Sequence, residues 1–203
     1  MTFVLGLTGS IGMGKSTTAG LFRALSVPVH DADAAVHALY RGAAAPLVEA
    51  AFPGTVRDGA VDRRALGGRV LGDADALRRL EGIVHPLVRA EEEAFLAAAG
   101  RAGAPLAVLD IPLLLESGGA GRCDAVAVVT APADVQRARV LARPGMSEEA
   151  LAAILARQMP DAEKREKAHF LVDTSRGVPA AEAQVRDIIR ALAARPGRRR
   201  ERP

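Results

Sequence analysis

The chain has 203 residues, of which 49% are hydrophobic and 25% charged, a composition typical of a globular protein with one or two domains. No stretch approaches the roughly 18 to 20 apolar residues of a membrane helix, and the N-terminus lacks the basic start of a signal peptide. The single cysteine, Cys123, cannot form an internal disulfide. We therefore expect a cytoplasmic protein with no membrane partner.

The net charge of +3 comes from the C-terminal end. The last nine residues carry five arginines and one glutamate, a net charge of +4, which leaves residues 1–194 at −1. The body of the chain lacks the basic excess of a nucleic-acid-binding protein, so no nucleic-acid partner is expected. Residues 195–203 are expected to form a basic disordered tail. A tail that contacts RNA or anionic lipid is the alternative.

Short apolar runs alternate with longer helical stretches along the chain. Strands are expected at residues 3–7, 27–29, 106–109, 126–129 and 170–172. Helices are expected at residues 16–25, 133–143, 147–158 and 179–194. This alternation predicts an α/β three-layer fold with a parallel sheet covered on both faces.

Two long stretches of the chain have no expected strand, and they suggest the domain organisation. Residues 31–100 are mostly helical in pattern, with breaks expected at Pro53-Gly54, Gly67-Gly68 and Gly82. This stretch is expected to be a helical domain inserted between the second and third strands. Residues 133–167 are expected to form a second, smaller helical segment. The core that holds the strands would then comprise residues 1–30, 101–132 and 168–194.

The strongest chemical signal is the stretch GSIGMGKS at residues 9–16, which matches G-x-x-x-x-G-K-[ST] between a strand and a helix. Its glycines let backbone N–H groups point at phosphate oxygens, and the start of the helix adds to that field. Lys15 can reach the β- and γ-phosphates of ATP, and the Ser16 hydroxyl can coordinate Mg²⁺. The expected ATP-binding residues are Gly9, Ser10, Ile11, Gly12, Met13, Gly14, Lys15, Ser16 and Thr17.

A P-loop indicates a nucleotide but not a reaction. The chain contains no asparagine, so the guanine-reading N-K-x-D motif of GTPases is absent. A small three-layer protein of the P-loop type with a helical insertion is typical of a small-molecule kinase. The core would bind the nucleotide, the insertion at residues 31–100 would be a helical acceptor domain, and residues 133–167 would form a helical lid over ATP. A nucleotide-dependent switch or RNA-linked factor that uses the arginine tail is the non-enzymatic alternative.

Several motifs, taken in order and spacing, resemble the dephospho-CoA kinases. The stretch LTGSIGMGKST at residues 7–17 is similar to the family's L-T-G-G-I-G-S-G-K-S-T. The further matches are Asp31-Ala32-Asp33, His85-Pro86-Leu87, Pro112-Leu113-Leu114-Leu115-Glu116, Arg139, Arg143 and Gln158. The resemblance runs from Leu5 to about Asp173. It implies transfer of the ATP γ-phosphate to the ribose 3′-hydroxyl of dephospho-CoA. A monomer or small homo-oligomer that acts on small-molecule substrates is expected. Another nucleoside or small-molecule P-loop kinase is the alternative.

The resemblance implies that Asp33, rather than Asp31, is the acceptor-side base. A carboxylate that follows the second strand can orient the attacking hydroxyl and take up its proton. The same tripeptide recurs at Asp73-Ala74-Asp75, where helix capping explains it. Capping of the next helix is therefore the structural alternative for Asp33.

Arg139 and Arg143 are four residues apart on an expected helix and therefore share a face. The resemblance implies that both belong to the lid, with Arg139 catalytic and Arg143 on ATP. A solvated basic face is the alternative. Asp110 ends the third-strand run, where many P-loop enzymes place a carboxylate that helps hold Mg²⁺.

Four further residues are assigned to the acceptor side by the resemblance: Thr8, His85, Leu114 and Glu116. A hydrogen-bonded structural residue is the alternative for His85, to which no catalytic role is given, and the leucines at 113–115 could equally be plain core. Near the final strand the family pattern is A-D-x-V-I-D-N, whereas this chain has AHFLVDT at residues 168–174. The adenine-side contacts of this segment are therefore not inferred.

Overall fold

The structure is a computed structural model and describes residues 1–198. In chain order its strands are β1 (Phe3–Thr8), β2 (Val29–Asp31), β3 (Val56–Arg57), β4 (Ala60–Val61), β5 (Leu106–Asp110), β6 (Ala125–Thr130) and β7 (Phe170–Asp173). Its helices are α1 (Lys15–Ala24), α2 (Ala32–Leu39), α3 (Ala44–Ala51), α4 (Arg63–Val70), α5 (Ala74–Arg101), α6 (Ala133–Leu141), α7 (Glu148–Leu155), α8 (Asp161–Glu166) and α9 (Val178–Leu192). The predicted α/β class is confirmed.

Five strands form one sheet in the order β2-β5-β1-β6-β7. The central strand β1 pairs in parallel with β5 and with β6, so that Leu7 lies opposite Asp110 and Thr8 opposite Val128. Strand β7 pairs in parallel with β6 on the other side. The carboxyl ends of these four strands therefore meet at one edge of the sheet, the edge at which parallel sheets bind ligands.

The core of the sheet forms because its three central strands are apolar on both faces. Every residue of β1, β5 and β6 is buried, as expected for parallel strands covered by helices on both sides. Phe22 of α1 joins this core together with Val185 and Ile188 of α9. The helical spacing of the buried residues on α9 gives that helix one apolar face.

The chain divides into two compact units. One comprises Met1–His30 together with the chain from Ala98 onward, and the other is Asp31–Ala97. The second unit has its own hydrophobic core, in which Val48 and Phe52 pack with Leu66, Leu80 and Val84. A two-stranded antiparallel hairpin of β3 and β4 belongs to this unit. Among the described helices, none has the length and apolar character that crossing a membrane requires.

Three details of the expected secondary structure are corrected. Gly67-Gly68 lies inside α4 and Gly82 inside α5, so neither interrupts a helix. A helical glycine costs only about 1 kcal/mol relative to alanine, less than the burial of nearby apolar residues contributes. The β3–β4 hairpin was not predicted, because two-residue strands are too short for an alternating pattern. Strand β2 lies two residues later than expected and ends at Asp31.

The expected break at Pro53-Gly54 is present. Here the carboxylate of Glu49 accepts hydrogen bonds from the backbone N–H groups of Gly54, Thr55 and Val56, which fixes the turn between α3 and β3.

Gly197 and Arg198, in the expected C-terminal tail, contact residues that precede β1 and β6. Gly197 donates its backbone N–H to the carbonyl of Met1 at 3.2 Å. The backbone N–H of Arg198 donates to Asp124 Oδ1 at 3.0 Å, while Asp124 Oδ2 accepts from the N–H of Val4. Gly197 and Arg198 are thus held at the amino-terminal ends of β1 and β6. The remainder of the expected tail, residues 199–203, lies outside the described part of the chain.

Candidate active site

The P-loop connects β1 to α1 with a tightly constrained backbone. Gly14 precedes the first residue of α1 and has φ 94°, a left-handed conformation that favours glycine. A Cβ on Gly9 would stand 2.7 Å from the carbonyl oxygen of Val129, closer than real Cβ contacts allow. Glycine at these two positions therefore lets the loop lie against β6 and turn into α1, whose first N–H groups have no helical partner.

Lys15 of this loop forms an ion pair with Asp110. The Lys15 ammonium lies 2.5 Å from Asp110 Oδ1, and the exposed fractions of the two side chains are 16% and 4%. Asp110 reaches this place because it ends β5, the strand next to β1. The hydroxyl-bearing residues Ser16 and Thr17, by contrast, are exposed at the start of α1.

Two glutamine side chains hydrogen-bond to the backbone of Ile11 in the P-loop. Gln158 accepts a hydrogen bond from the Ile11 N–H at 3.1 Å, and Gln136 donates to the Ile11 carbonyl at 2.7 Å. Gln158 was noted from the sequence, whereas Gln136 was missed. Its signal was its place on α6, three residues before Arg139 and therefore on the same face.

Arg139 is bound to the end of β7 and to the P-loop. Its Nη1 donates to Thr174 Oγ1 at 2.7 Å and reaches the Gly12 carbonyl at 3.5 Å, while Nη2 donates to the Thr174 carbonyl at 2.8 Å. Arg143, the other predicted lid arginine, is exposed. Sequence reasoning missed Thr174 because it was seen only as a departure from the family pattern.

Glu116 is held by a buried lysine. The ammonium of Lys164, which has no exposed surface, lies 2.8 Å from Glu116 Oε1, and the same oxygen accepts from the N–H of Met159. Burial by itself would raise the pKa of Glu116, but the hydrogen bonds from Lys164 and Met159 outweigh it and lower that pKa below its ordinary value. The pair thus ties the segment after β5 to α8.

Two other residues of the predicted acceptor side lie close to the end of β1. The Thr8 hydroxyl donates to the Pro112 carbonyl at 2.8 Å and so fixes the segment after β5. Leu114 is fully buried, and a Cβ on Gly6 would come within 2.5 Å of its Cδ2. The side chain of Leu114 therefore belongs to the core, whereas its neighbour Leu113 is exposed.

In the second unit, Asp31 and Asp33 have different environments. Asp31 accepts a hydrogen bond from the N–H of Ala34 at 2.9 Å and caps α2. Asp33 lies in the first turn of α2 and is exposed, so the capping alternative applies to Asp31. His85 is exposed on α5, where it lines a groove of about 440 Å³ with Glu81, Arg89 and Glu93 among its neighbours.

The residues proposed for Mg²⁺ fit the way this ion is bound beside phosphates. Asp110 and Ser16 offer hard oxygen ligands, and Asp110 stands at the carboxyl edge of the sheet next to the P-loop. No cluster of three or more His, Cys, Asp or Glu side chains suited to a metal occurs in residues 1–198. A site of one or two protein ligands, completed by phosphate and water, is the arrangement typical of Mg²⁺.

Together, the parallel sheet, the glycine loop that opens α1 and the Lys15–Asp110 pair define a P-loop protein with the fold of a small-molecule kinase. A family model described as dephospho-CoA kinase matches residues 3–180. The chain belongs to the dephospho-CoA kinase family, and it is an ATP-dependent kinase.

Individual relatives agree with this assignment. A dephospho-CoA kinase of Mesorhizobium japonicum is 69% identical over 189 residues, which are 93% of this chain and 96% of the relative. The crystal structure of TT1252 from Thermus thermophilus has a TM-score of 0.81 at 37% identity and covers 94% of this chain and 97% of its own. The dephospho-CoA kinase structure from Campylobacter jejuni, with a TM-score of 0.63 at 24% identity and coverages of 94% and 97%, supports the fold.

Proposed function

We propose that the chain transfers the γ-phosphate of ATP to the ribose 3′-hydroxyl of dephospho-CoA, which yields coenzyme A and ADP. One observation carries the proposal. A P-loop lysine paired with the acidic residue at the end of the neighbouring strand occurs in a chain that belongs to the dephospho-CoA kinase family.

On the ATP side, the loop from Gly9 to Thr17 holds the phosphates through backbone N–H groups at the start of α1. Lys15 offsets the charge that develops on the β- and γ-phosphates during transfer. Ser16 and Asp110 would hold Mg²⁺, which neutralises phosphate charge when it is bound. Asp110 also fixes the direction of the Lys15 side chain.

For the transfer itself, Asp33 orients the attacking hydroxyl and takes up its proton. Its exposure in the first turn of α2 leaves the carboxylate accessible to a substrate, since Asp31 performs the capping of that helix. Arg139 stabilises the charge of the transferred phosphoryl group, and Arg143 binds ATP from the same helical stretch. Residues 133–167 form the lid, whose closure excludes water and so limits ATP hydrolysis.

The acceptor side is assigned to four residues in different roles. His85 contributes an exposed polar side chain on a grooved helix face. Thr8, Leu114 and Glu116 shape the segment after β5, Thr8 through its hydrogen bond to Pro112 and Leu114 from the core. Glu116 keeps that segment in place through Lys164.

The cellular setting belongs to the same proposal. We expect a cytoplasmic enzyme that acts as a monomer or small homo-oligomer on small-molecule substrates, without nucleic-acid or membrane partners. The buried Cys123 and the near-neutral charge of residues 1–194 support this view.

The test is ADP production by the purified protein with MgATP, measured with and without dephospho-CoA. Acceptor-dependent ADP, with coenzyme A identified by mass, is the expected outcome. A parallel panel of nucleosides and nucleoside monophosphates tests the alternative of another small-molecule kinase, and preference for one of these would overturn the choice of acceptor. A variant without residues 199–203 should keep its turnover. Loss of turnover there would instead favour a function that depends on the arginines.

A further inference from the structure

We propose that Thr174 is a positioning residue that sets the geometry of both Arg139 and the P-loop through its side-chain hydroxyl. The inference deepens the proposed kinase reaction and rests on it. Thr174 follows β7 directly and is 7% exposed, and its backbone N–H bonds to the carbonyl of Thr130 at the end of β6. This backbone hydrogen bond anchors Thr174 to the carboxyl edge of the sheet independently of its side chain.

The Thr174 hydroxyl acts both as a hydrogen-bond donor and as a hydrogen-bond acceptor. It donates to the carbonyl of Met13 at 2.8 Å and accepts from Nη1 of Arg139 at 2.7 Å. A hydroxyl has one hydrogen to donate and lone pairs to accept with, so these two bonds are chemically compatible. One side chain therefore joins the P-loop, the arginine of α6 and the end of the sheet.

Two further contacts make this arrangement specific. The backbone carbonyl of Thr174 accepts from Nη2 of Arg139 at 2.8 Å. Together with the bond from Nη1 to the hydroxyl, this contact fixes the plane of the guanidinium group. A Cβ added at Gly14 would lie 3.2 Å from the threonine methyl, so the Thr174 side chain occupies the space beside the left-handed residue that precedes α1. The hydroxyl orients the arginine, and the methyl supports the turn into the helix.

This geometry makes a chemical demand on position 174. The side chain must carry a donor for the Met13 carbonyl and an acceptor for Arg139, which valine cannot supply although it has the shape of threonine. Serine supplies both groups without the methyl. Asparagine also carries both, on its amide nitrogen and oxygen.

The experiment compares Thr174→Val, Thr174→Ser and Thr174→Asn for kcat and for the KM of ATP under saturating dephospho-CoA. We expect Thr174→Val to lower kcat/KM for ATP by about ten- to a hundredfold, as expected for loss of hydrogen bonds that include a charged partner. The serine variant should recover most of this loss, and the asparagine variant part of it. Wild-type kcat/KM in Thr174→Val would overturn the proposal.

A double-mutant cycle with Arg139→Ala distinguishes positioning of Arg139 by Thr174 from a general effect of Thr174 on the stability of the fold. If Thr174 acts through Arg139, Thr174→Val should cost no more than about threefold in the Arg139→Ala background. An equal cost in both backgrounds would overturn the link to Arg139. Thr130→Val is the matched control. Thr130 is a buried threonine at the end of the adjacent strand β6, but its hydroxyl donates to Asp161 and not to a P-loop carbonyl. Its effect should be additive with Arg139→Ala.

The outcome is also distinguishable from failure of the proposed function. If the wild-type protein produces no acceptor-dependent ADP, the reaction is wrong. If the wild-type is active and the valine variant equals it, only the role of Thr174 is wrong. Should Thr174→Val fail to fold, Thr174→Ala, which also lacks the hydroxyl, takes its place in the same cycle.

Discussion

The Lys15 ammonium and the Asp110 carboxylate meet at 2.5 Å, so the loop that receives phosphate has its lysine already directed by the neighbouring strand. Both side chains are largely withdrawn from water, which strengthens their attraction and makes each depend on the other. The pair links nucleotide binding to the stability of the sheet edge.

We first predict the separate contributions of this pair to turnover and stability. Lys15→Met should lower turnover by at least about a hundredfold, because a charge that stabilises the transferring phosphoryl group is lost. It should also lower the free energy of unfolding by about 2 kcal/mol, since Asp110 loses its counter-charge. Urea unfolding and ADP release measure the two effects. In the double variant Lys15→Met with Asp110→Asn, stability should return while turnover does not. Recovery of turnover would contradict the role of Lys15.

Asp33→Asn should abolish most turnover and leave ATP binding intact. Loss of a general base lowers kcat by about 10²- to 10⁴-fold, and the P-loop is unaltered by the change. The matched control is Asp75→Asn, since Asp75 occupies the same place in the repeated tripeptide at the start of α5 and pairs with Arg78. The control should keep wild-type turnover. Equal kcat values for Asp33→Asn and wild-type would contradict the assignment.

The Glu116–Lys164 pair should respond unequally to removal of its two members. Glu116→Gln leaves the fully buried ammonium without its carboxylate, a change that costs about 3–5 kcal/mol in buried pairs. Lys164→Met removes that charge, and Glu116 keeps the N–H of Met159 and some access to solvent. The free energies of unfolding at pH 7 should therefore fall further for Glu116→Gln. The reverse order would show that Lys164 is not confined as described.

The same carboxylate should contribute to acid sensitivity. The pKa of Glu116 is lowered from its ordinary value of 4.5, so its stabilising contribution is complete above about that pH. It is lost as the pH falls from there through the lower pKa of the folded state. The difference in unfolding free energy between wild-type and Glu116→Gln should consequently shrink below about pH 4.5. A difference that stays constant down to pH 3 would rule out this titration.

Gly14→Ala should impair the protein more than a glycine replacement with the same backbone strain elsewhere. An alanine at Gly14 meets both a φ of 94° and the Thr174 side chain 3.2 Å away. Gly145 has a φ of 76° but open space around its Cβ position, so Gly145→Ala carries only the strain of about 1–2 kcal/mol. Thermal unfolding and the KM of ATP should therefore change more at position 14. Equal shifts at the two positions would argue against the packing of Thr174 on the loop.

The fold was predictable where one local pattern determines one element. The apolar runs of β1, β5 and β6 needed no partner to be recognised, and the P-loop between β1 and α1 follows from its glycines and lysine. The hairpin of β3 and β4 was not predictable, because four strand residues carry no periodic signal. The continuity of α5 through Gly82 depends on the buried neighbours Leu80 and Val84, which lie in a core that only the tertiary structure reveals.

Single residues of the candidate site could be proposed from the sequence, but the contacts between them could not. Lys15 and Asp110 could each be assigned from position, and their contact follows from the pairing of β1 with β5. Thr174 lies 161 residues from the Met13 carbonyl it contacts, and Lys164 is an ordinary surface residue in sequence terms. Its burial beside Glu116 arises from how α8 packs, which no local spacing encodes.

The insertion of Asp31–Ala97 between paired strands has a consequence for the order of folding. Phe3 pairs with Leu106, so about a hundred further residues must be synthesised before the first strand can pair with β5. The inserted unit, by contrast, is closed within one continuous segment and has its own core. During synthesis from the N-terminus this unit can therefore form before the central sheet. We expect ribosome-bound chains just long enough for residue 97 to have left the exit tunnel to show a protease-resistant fragment from this segment, while β1 is still open to cleavage.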